Sequence, residues 1–228
     1  MSRCVPHAGK SAEVYGPWPA AAEEGFPPAG AVVGGPARFL VLGTFPSIRS
    51  QSRQEYYGHE RNHFWPLLFS FAAESGLLPL PAEPGQSMWH AGASLAAVSA
   101  YEAKIGLAAR LQVILWDMVK SCRRTTSADD ALEIVALNDI AALLQAHPEI
   151  ERIGLNGTRA STLFLKNVVY GCDFRQAREA LSGVGGRVVL AIAGKTRAIY
   201  RLPSTSPVPT PQYRTIEDKW ALWQRFFY

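Results

Sequence analysis

Two segments of the chain combine small polar residues with prolines directly after short apolar runs. The first is Gly43–Ser47, with the sequence Gly-Thr-Phe-Pro-Ser, and the second is Leu202–Pro207, with the sequence Leu-Pro-Ser-Thr-Ser-Pro. Hydroxyl groups and free backbone N–H groups at the end of a strand can bind phosphate oxygens without a lysine. For the second segment, the residues alone leave open the alternative of an ordinary loop stiffened by its prolines.

A polar and aromatic segment, Tyr56–Trp65, follows the first loop, with the sequence Tyr-Tyr-Gly-His-Glu-Arg-Asn-His-Phe-Trp. Asn62 begins a predicted helix, and Pro66 is tolerated in a first turn, so one interpretation of Asn62 is a helix N-cap. An aromatic side chain beside a phosphate-binding loop can stack on a base of a nucleic acid. The alternative for Tyr57 is partial burial beneath the loop.

Short apolar runs alternate with helical patterns along most of the chain, and they define the elements that must position these loops. The predicted strands are 38–43, 113–116, 150–155, 188–192 and 198–202. The predicted helices start near Asn62, at 93–110, after Asn138-Asp139, after Thr158 and at Thr215, where Asp218 completes a capping box. Such alternation predicts an α/β fold with a mostly parallel sheet that is covered on both faces. Ligands of such sheets bind outside the carboxyl ends of the strands, where the polar loops lie.

The composition of the 228 residues is 48 % hydrophobic and 18 % charged, which predicts a packed core rather than disorder. We expect residues 1–24, rich in Pro, Gly and Ala, to form a loose tail, and residues 25–228 to form a single domain. No apolar stretch approaches the roughly 18 residues of a membrane span. The first residues contain no apolar region of the kind found in secretory signals, so secretion is not expected.

Charge and cysteine content narrow the class of protein further. The excess of 23 Lys and Arg over 19 Asp and Glu permits nucleic-acid binding without requiring it, and most of the cations are arginine, which suits phosphate contacts. No spacing typical of a zinc site or a disulfide framework is present, so we expect a reducing compartment and no metal. The residues considered for such sites are Cys4, Cys122, Cys172, His59, His63 and His90.

Five short motifs occur in a fixed order, and their combination is far more specific than any one of them. They are Gly-Thr-Phe-Pro-Ser (43–47), the segment 56–65, Leu-Trp-Asp (115–117), Leu-Asn-Gly (155–157) and Leu-Pro-Ser-Thr-Ser-Pro (202–207). Together they resemble the hypoxanthine-DNA glycosylase (deoxyinosine glycosylase) branch of the uracil-DNA glycosylase superfamily, over residues 25–228. The resemblance implies a three-layer α/β/α sandwich around a short, mostly parallel central sheet, with DNA across the carboxyl ends of the strands.

The resemblance also implies a monofunctional DNA glycosylase that flips a deaminated base, with hypoxanthine expected, out of the duplex and hydrolyses its N-glycosidic bond. Asn62 matches the asparagine that this branch is thought to use in catalysis, and Tyr57 matches the aromatic residue that stacks on the flipped base. Asp117 lies where relatives read the edge of the base, and its alternatives are a helix N-cap or an ion-pair partner. Phe45 is grouped with the base-binding residues, although relatives that excise uracil often carry Asp or Asn there. Those relatives also carry a histidine where this chain has Leu202, and both differences lower the expectation of uracil as substrate.

Contacts to DNA follow from the same resemblance. The residues expected to bind phosphate are Ser47, Ser204, Thr205 and Ser206, and Pro207 or Val208 is the candidate wedge that fills the vacated stack. The expected partner is DNA that contains a damaged base, with no cofactor, no metal and no membrane, and we expect a monomer in the cytoplasm that associates with the nucleoid through DNA. The alternatives are a uracil, xanthine or mismatch glycosylase of the same fold, or a DNA-binding module without catalysis.

Overall fold

The computed structural model describes most of the chain from residue 22 onwards. The described residues are 22–30, 36–79, 88–124, 132–171, 173–208 and 210–228. The predicted tail lies outside these ranges up to residue 21, as do Cys4 and Cys172.

Strands and helices are numbered along the described chain. The strands are β1 (Glu23–Glu24), β2 (Ala29–Gly30), β3 (Phe39–Gly43), β4 (Val113–Asp117), β5 (Val119–Arg123), β6 (Glu133–Leu137), β7 (Arg152–Asn156), β8 (Arg187–Ile192) and β9 (Lys195–Leu202). The helices are α1 (Ile48–Arg53), α2 (Phe64–Glu74), α3 (Met88–Val98), α4 (Tyr101–Arg110), α5 (Ile140–Ala146), α6 (Thr158–Asn167), α7 (Asp173–Ala180) and α8 (Ile216–Phe227).

A six-stranded sheet with the order β2-β4-β3-β7-β9-β8 forms the centre of the fold. Its four inner strands, β4, β3, β7 and β9, run parallel, whereas β2 and β8 pair antiparallel at the two edges. The prediction of a mostly parallel sheet is therefore confirmed. The hairpin of β8 and β9 also agrees with the two apolar runs near the end of the chain.

Two apolar cores lie on opposite faces of this sheet. Phe39 and Val41 of β3 pack in one core with residues of α2, α3, α4 and α8. Leu40 and Leu42 of the same strand pack in the other core with residues of α5, α6 and α7. Because successive residues of a strand point to opposite faces, this division produces helix, sheet and helix layers. The three-layer α/β/α architecture is confirmed.

A second, three-stranded sheet with the order β1-β5-β6 was not predicted. β5 begins directly after β4, with only Met118 between them, and its sequence Val-Lys-Ser-Cys-Arg lacks the apolar run that marks a buried strand. In this sheet Glu24 of β1 pairs with Ser121 of β5. The last two residues of the predicted tail, Glu23 and Glu24, thus belong to the folded part of the chain.

Two helical predictions need correction. The predicted helix at 93–110 is two helices, α3 and α4, because Ala100 is extended (φ −63°, ψ 157°) and precedes a new helix. Helix α1 was not predicted, and Ser47 caps it by accepting a hydrogen bond from the backbone N–H of Ser50.

The caps predicted for α5 and α8 are confirmed. Asp139 accepts a hydrogen bond from the backbone of Ala142, and Thr215 and Asp218 form the reciprocal capping box of α8. The inner face of α8 places Trp220, Trp223 and Phe227 in the core, with Ile216 packed at its margin. None of the helices in the described ranges is both long and apolar enough to cross a bilayer.

Gly106 lies in the middle of α4, where a Cβ atom would meet nothing within 4 Å outside the backbone of the helix itself. We expect Gly106→Ala to raise the free energy of unfolding by roughly 0.4–1 kcal/mol, because alanine has the higher helix propensity and loses less backbone entropy on folding. Urea denaturation of the variant and the wild type measures this difference. A loss of stability would contradict the open environment of this position.

Candidate active site

The carboxyl ends of the four parallel strands bring the predicted site segments together. Gly43 at the end of β3 pairs in register with Asp117 at the end of β4, and Asn156 at the end of β7 pairs with Leu202 at the end of β9. The loops that leave these strands carry the polar residues singled out in the sequence. These loops therefore all begin at the carboxyl-terminal end of the parallel strands.

Thr205 connects three of these segments. Its backbone N–H donates to Oδ1 of Asn156, and its Oγ1 accepts from Nδ2 of the same side chain, both at 2.9 Å. Its carbonyl oxygen accepts from the backbone N–H of His63, also at 2.9 Å. Because Thr205 is only 1 % exposed, its side chain is not available for the phosphate contact expected of it, and it holds the loop in place instead.

Asn62 lies directly before the residue that bonds to Thr205, so the amide is next to the Ser-Thr-Ser loop. Its Oδ1 accepts a hydrogen bond of 2.9 Å from the backbone N–H of Phe64, the first residue of α2. The N-cap interpretation of Asn62 is therefore wrong, because His63 occupies the N-cap position of α2 and has no side-chain cap bond. Asn62 instead closes a local turn one residue earlier, and this bond fixes the direction of the amide oxygen. The side chain is half-buried, and one lone pair of the oxygen and the NH₂ group have no partner among the described residues.

Tyr57 has a left-handed backbone conformation (φ 54°), which is costly for a residue with a side chain. Neighbouring contacts hold it there, since the backbone N–H of Tyr56 bonds to the Tyr101 hydroxyl and the carbonyl of Tyr56 accepts from Trp65 Nε1. One face of the Tyr57 ring stacks on Phe64, with the ring centroids 4.1 Å apart. Such strain is maintained where a side chain must be placed accurately.

The hydroxyl of Tyr57 is buried close to Asp117. Burial raises the pKa of Tyr57 above its ordinary value, the negative charge of Asp117 raises it further, and a contact with Asn156 opposes the shift. The phenol therefore stays protonated. The two site residues predicted from separate motifs, Tyr57 and Asp117, are brought together by the fold.

Asp117 is 4 % exposed, and its carbonyl oxygen accepts a hydrogen bond of 2.9 Å from Nδ2 of Asn138. The helix N-cap interpretation of Asp117 is wrong, because strand β5 follows it. The carboxylate packs against Gly43, where any Cβ atom would collide with Asp117 Oδ1 and lie 3.7 Å from the Tyr57 hydroxyl. The glycine of the first motif therefore makes room for this carboxylate.

Phe45 packs on the side of the small sheet. The guanidinium carbon of Arg124 lies 4.9 Å from the centre of the Phe45 ring, and Arg124 also donates a 2.6 Å hydrogen bond to the carbonyl of Pro46. Arg124 is buried and forms a 2.7 Å ion pair with Glu23. This arginine holds the Gly43–Ser47 loop in place, and no motif indicated it.

The serines of the two loops form hydrogen bonds with residues two or three positions further along the chain. Ser204 Oγ accepts from the backbone N–H of Ser206, and Ser206 Oγ accepts from the backbone N–H of Val208. Both serines are half-buried, and in these bonds they act as acceptors, so their hydroxyl hydrogens remain available to a ligand. Ser47 differs, because its hydroxyl donates to Ser50 Oγ at 3.1 Å within the cap of α1.

The wedge candidates lie at the end of the second loop. Val208 is 70 % exposed, which is unusual for a large apolar side chain, and Pro207 is half-buried beside it. Within the described residues no group of three or more His, Cys, Asp or Glu side chains could hold a metal ion.

Two residues of the site received no role from the sequence. Asn156 belongs to the Leu-Asn-Gly motif, and its place at the end of a strand was the available signal. Lys219 is buried on α8, and Nζ lies 3.0 Å from Nδ1 of His63. A charged residue on the apolar face of a helix was the signal that could have identified it.

Comparison with known proteins shows that the chain is similar to DNA glycosylases. The chain is 30 % identical to a hypoxanthine DNA glycosylase of Methanosarcina acetivorans over 138 residues, which are 60 % of this chain and 73 % of that protein. It is 25 % identical to the hypoxanthine DNA glycosylase of Methanosarcina barkeri over the same shares of the two chains. A search against models of protein families gave no match.

The fold has a counterpart among solved structures. The solution NMR structure of a proposed uracil DNA glycosylase from Methanosarcina acetivorans superposes with a TM-score of 0.57 at 22 % identity. The match covers 91 % of this chain and 97 % of that one.

The contact between Gly43 and Asp117 leads to a test of the site's packing. We expect Gly43→Ala to lower the free energy of unfolding by about 1–3 kcal/mol, because the added methyl group must displace a buried carboxylate. Urea denaturation measures the change, and Gly106→Ala is the matched control with open space around its Cβ. Equal stability of the Gly43 variant and the wild type would show that Asp117 is not confined here.

Proposed function

The chain belongs to the hypoxanthine DNA glycosylase family, and on that premise we propose that it removes hypoxanthine from DNA by hydrolysis of the N-glycosidic bond. The observation that carries the proposal is the position of Asn62. Asn62 precedes His63, whose backbone N–H bonds at 2.9 Å to Thr205 between Ser204 and Ser206, and the Phe64 N–H orients the Asn62 amide oxygen. A water-positioning amide and phosphate-binding hydroxyls are thereby held in one rigid group.

The reaction requires a flipped nucleotide, because the bond to be cleaved is inaccessible within the duplex. Flipping costs a few kcal/mol, and the cost is lowest for a weak pair, so a hypoxanthine opposite thymine leaves the stack more easily than a matched adenine. The hydroxyls of Ser204 and Ser206 hold phosphates of the damaged strand, and Val208 enters the vacated space in the duplex. Ser47 contributes to the same grip through its hydroxyl hydrogen, which turns from Ser50 Oγ to a phosphate oxygen when DNA binds.

Asn62 positions the attacking water in this mechanism. Its oxygen keeps one lone pair after it accepts the Phe64 N–H, and that lone pair accepts a hydrogen bond from the water. The water oxygen forms a bond to C1′ of the sugar as the bond from C1′ to N9 breaks, and the electron pair of that bond leaves with hypoxanthine. The proton released by the water is taken up by the leaving base or by solvent. Negative phosphates nearby stabilise the cationic character of the sugar.

Asp117 distinguishes hypoxanthine from adenine. The N1–H group of hypoxanthine can donate a hydrogen bond to a carboxylate. N1 of adenine has no hydrogen and is itself an acceptor. Adenine would therefore leave a buried carboxylate facing a lone pair, which is strongly unfavourable. Tyr57 offers the ring face opposite Phe64 for stacking on the base, and Phe45 closes the neighbouring side of the pocket.

The remaining features of the proposal concern the setting of the reaction. The enzyme acts as a monomer on DNA in the cytoplasm, where it associates with the nucleoid, and needs no cofactor or metal. The folded part of the chain, which includes Glu23 and Glu24, acts as one catalytic domain.

Incubation with a duplex that contains one deoxyinosine, followed by alkali, tests the function directly, because alkali cleaves the strand at an abasic site. We expect a cleaved product with deoxyinosine and none with deoxyadenosine. Parallel duplexes with uracil, xanthine or a mismatched base identify a different base preference within the same fold. Salt-dependent binding without release of any base would show a DNA-binding module and contradict the proposal.

Asn62→Ala is expected to lower the single-turnover rate of hypoxanthine excision by roughly 10²–10⁴-fold, since positioning and electrostatic effects are of this size. Loss of the hydrogen bond from the Phe64 N–H to Asn62 should also lower the free energy of unfolding by about 1 kcal/mol. Asn167→Ala is the matched control, because its side chain bonds only to the Leu163 carbonyl at the far end of α6. An unchanged excision rate in the Asn62 variant would refute its role.

Asp117→Asn is expected to relax the choice of base, because an amide can donate to N1 of adenine as well as accept from N1 of hypoxanthine. The ratio of single-turnover rates for deoxyinosine and deoxyadenosine duplexes should fall by at least tenfold, as for other buried polar groups that read a substrate edge. The same ranking of bases in the variant and the wild type would exclude Asp117 as the residue that reads the base.

A further inference from the structure

A buried lysine lies behind the catalytic segment. Lys219 in the first turns of α8 is 2 % exposed, and its Nζ is 3.0 Å from Nδ1 of His63. Within the described residues no carboxylate lies within ion-pair distance of this ammonium group. Its neighbour Asp218 is engaged by the backbone N–H groups of Arg214 and Thr215, each at 2.8 Å. A buried charge without a counter-ion is costly, so its contact with an imidazole requires a reason.

The contact determines the protonation of the ring. An ammonium group has donors and no acceptor, so Nδ1 of His63 must accept the hydrogen bond. A neutral imidazole has one N–H, and its proton is therefore on Nε2. The His63 side chain is half-buried, and its hydrogen bond among the described residues is the one at Nδ1. Lys219 thus makes His63 a neutral imidazole whose Nε2–H can donate to a ligand.

The backbone of His63 fixes where the Nε2–H donor lies. The backbone N–H of His63 bonds to the carbonyl of Thr205, and the preceding residue is Asn62. The ring is therefore attached to the junction of the water-positioning segment and the phosphate-binding loop. The ammonium nitrogen of Lys219 lies 3.0 Å from Nδ1 of this ring. Its positive charge favours an anionic acceptor for the N–H group at Nε2.

We propose that His63 donates its Nε2–H to a phosphate oxygen of the damaged DNA strand and that Lys219 is the positioning residue that holds the imidazole in this state. The inference rests on the proposed glycosylase function, because it assigns the ligand of the ring to the same DNA. It adds a third donor to the hydroxyls of Ser204 and Ser206. The negative charge of the phosphate also offsets the burial of the lysine, so DNA supplies the counter-ion that is missing among the described residues.

The groups around His63 and Lys219 shift the pKa of both residues and so define the pH range in which the ammonium–imidazole contact forms. Burial lowers the pKa of His63 below 6.5 and the charge of Lys219 lowers it further, whereas Glu217 opposes the shift. Burial lowers the pKa of Lys219 to about 8, and Asp218 opposes that shift. Protonation of His63 at low pH removes the acceptor at Nδ1. The ammonium–imidazole contact is therefore complete between the lowered pKa of His63 and a pH of about 8.

Nitrogen-15 NMR of labelled histidine tests the pair without any reference to catalysis. In the wild type we expect His63 to show the tautomer protonated on Nε2. In Lys219→Met, which removes the charge and keeps the length of the chain, the pKa of His63 should rise, because a neighbouring positive charge has gone. A proton on Nδ1 in the wild type, or an unchanged pKa in the variant, would overturn the inference.

Single-turnover excision from the deoxyinosine duplex tests the consequence for the reaction. We expect His63→Ala to lower the rate by roughly 10- to 100-fold, the size of one lost hydrogen bond to a charged group. Lys219→Met should lower it by about tenfold, since the donor remains but is no longer held. The double variant should match His63→Ala alone, and His63→Gln, which supplies an amide N–H, should recover part of the rate.

Two controls separate this inference from stability and from the proposed function. Lys195→Met removes a lysine from the exposed start of β9, at the opposite end of the sheet, and should excise at the wild-type rate. The melting temperature of Lys219→Met at neutral pH should equal or exceed that of the wild type, because a buried charge is removed. No excision by the wild type would contradict the proposed function, whereas wild-type excision with fully active His63 and Lys219 variants would contradict this inference alone.

Discussion

The candidate site depends on one set of hydrogen bonds, those that join Asn156, Thr205 and His63. The amide of Asn156 uses both its oxygen and its nitrogen to hold Thr205, and Thr205 uses its carbonyl to hold the backbone of His63. Each of these groups comes from a different part of the chain. Because Thr205 takes part in all three bonds and is only 1 % exposed, these bonds join the loops of the candidate site into one unit rather than independent surface turns.

The layers of the fold follow from local patterns in the sequence, and they were predicted for that reason. Continuous apolar runs gave the central strands, and turn and cap residues such as Asp139 and Thr215 gave the helix starts. The small sheet was missed because β5 is polar and follows β4 without a turn signal. The break at Ala100 was missed because its neighbours favour a helix on both sides, so the division between α3 and α4 depends on tertiary packing.

The site was predicted less completely than the fold. Asn62, Tyr57 and Asp117 could be selected as candidates because they lie in short conspicuous motifs, and the fold brings Tyr57 and Asp117 close together. The roles of Thr205 and Lys219 depend on partners that are 49 and 156 residues away in sequence, and no local pattern encodes such a pairing. Thr205 was placed with its neighbours as a phosphate ligand, since only the folded chain shows that its side chain points inward.

The ion pair between Arg124 and Glu23 connects the small sheet to the candidate site. Through Arg124, the first described strand supports Phe45 and Pro46 in the loop that follows Gly43, and Gly43 packs against the carboxylate of Asp117. A shortened version of this protein that begins after Glu24 would keep every catalytic side chain and still lose the brace beneath one wall of its pocket. The minimal catalytic unit is therefore larger than the set of motifs by which it is recognised.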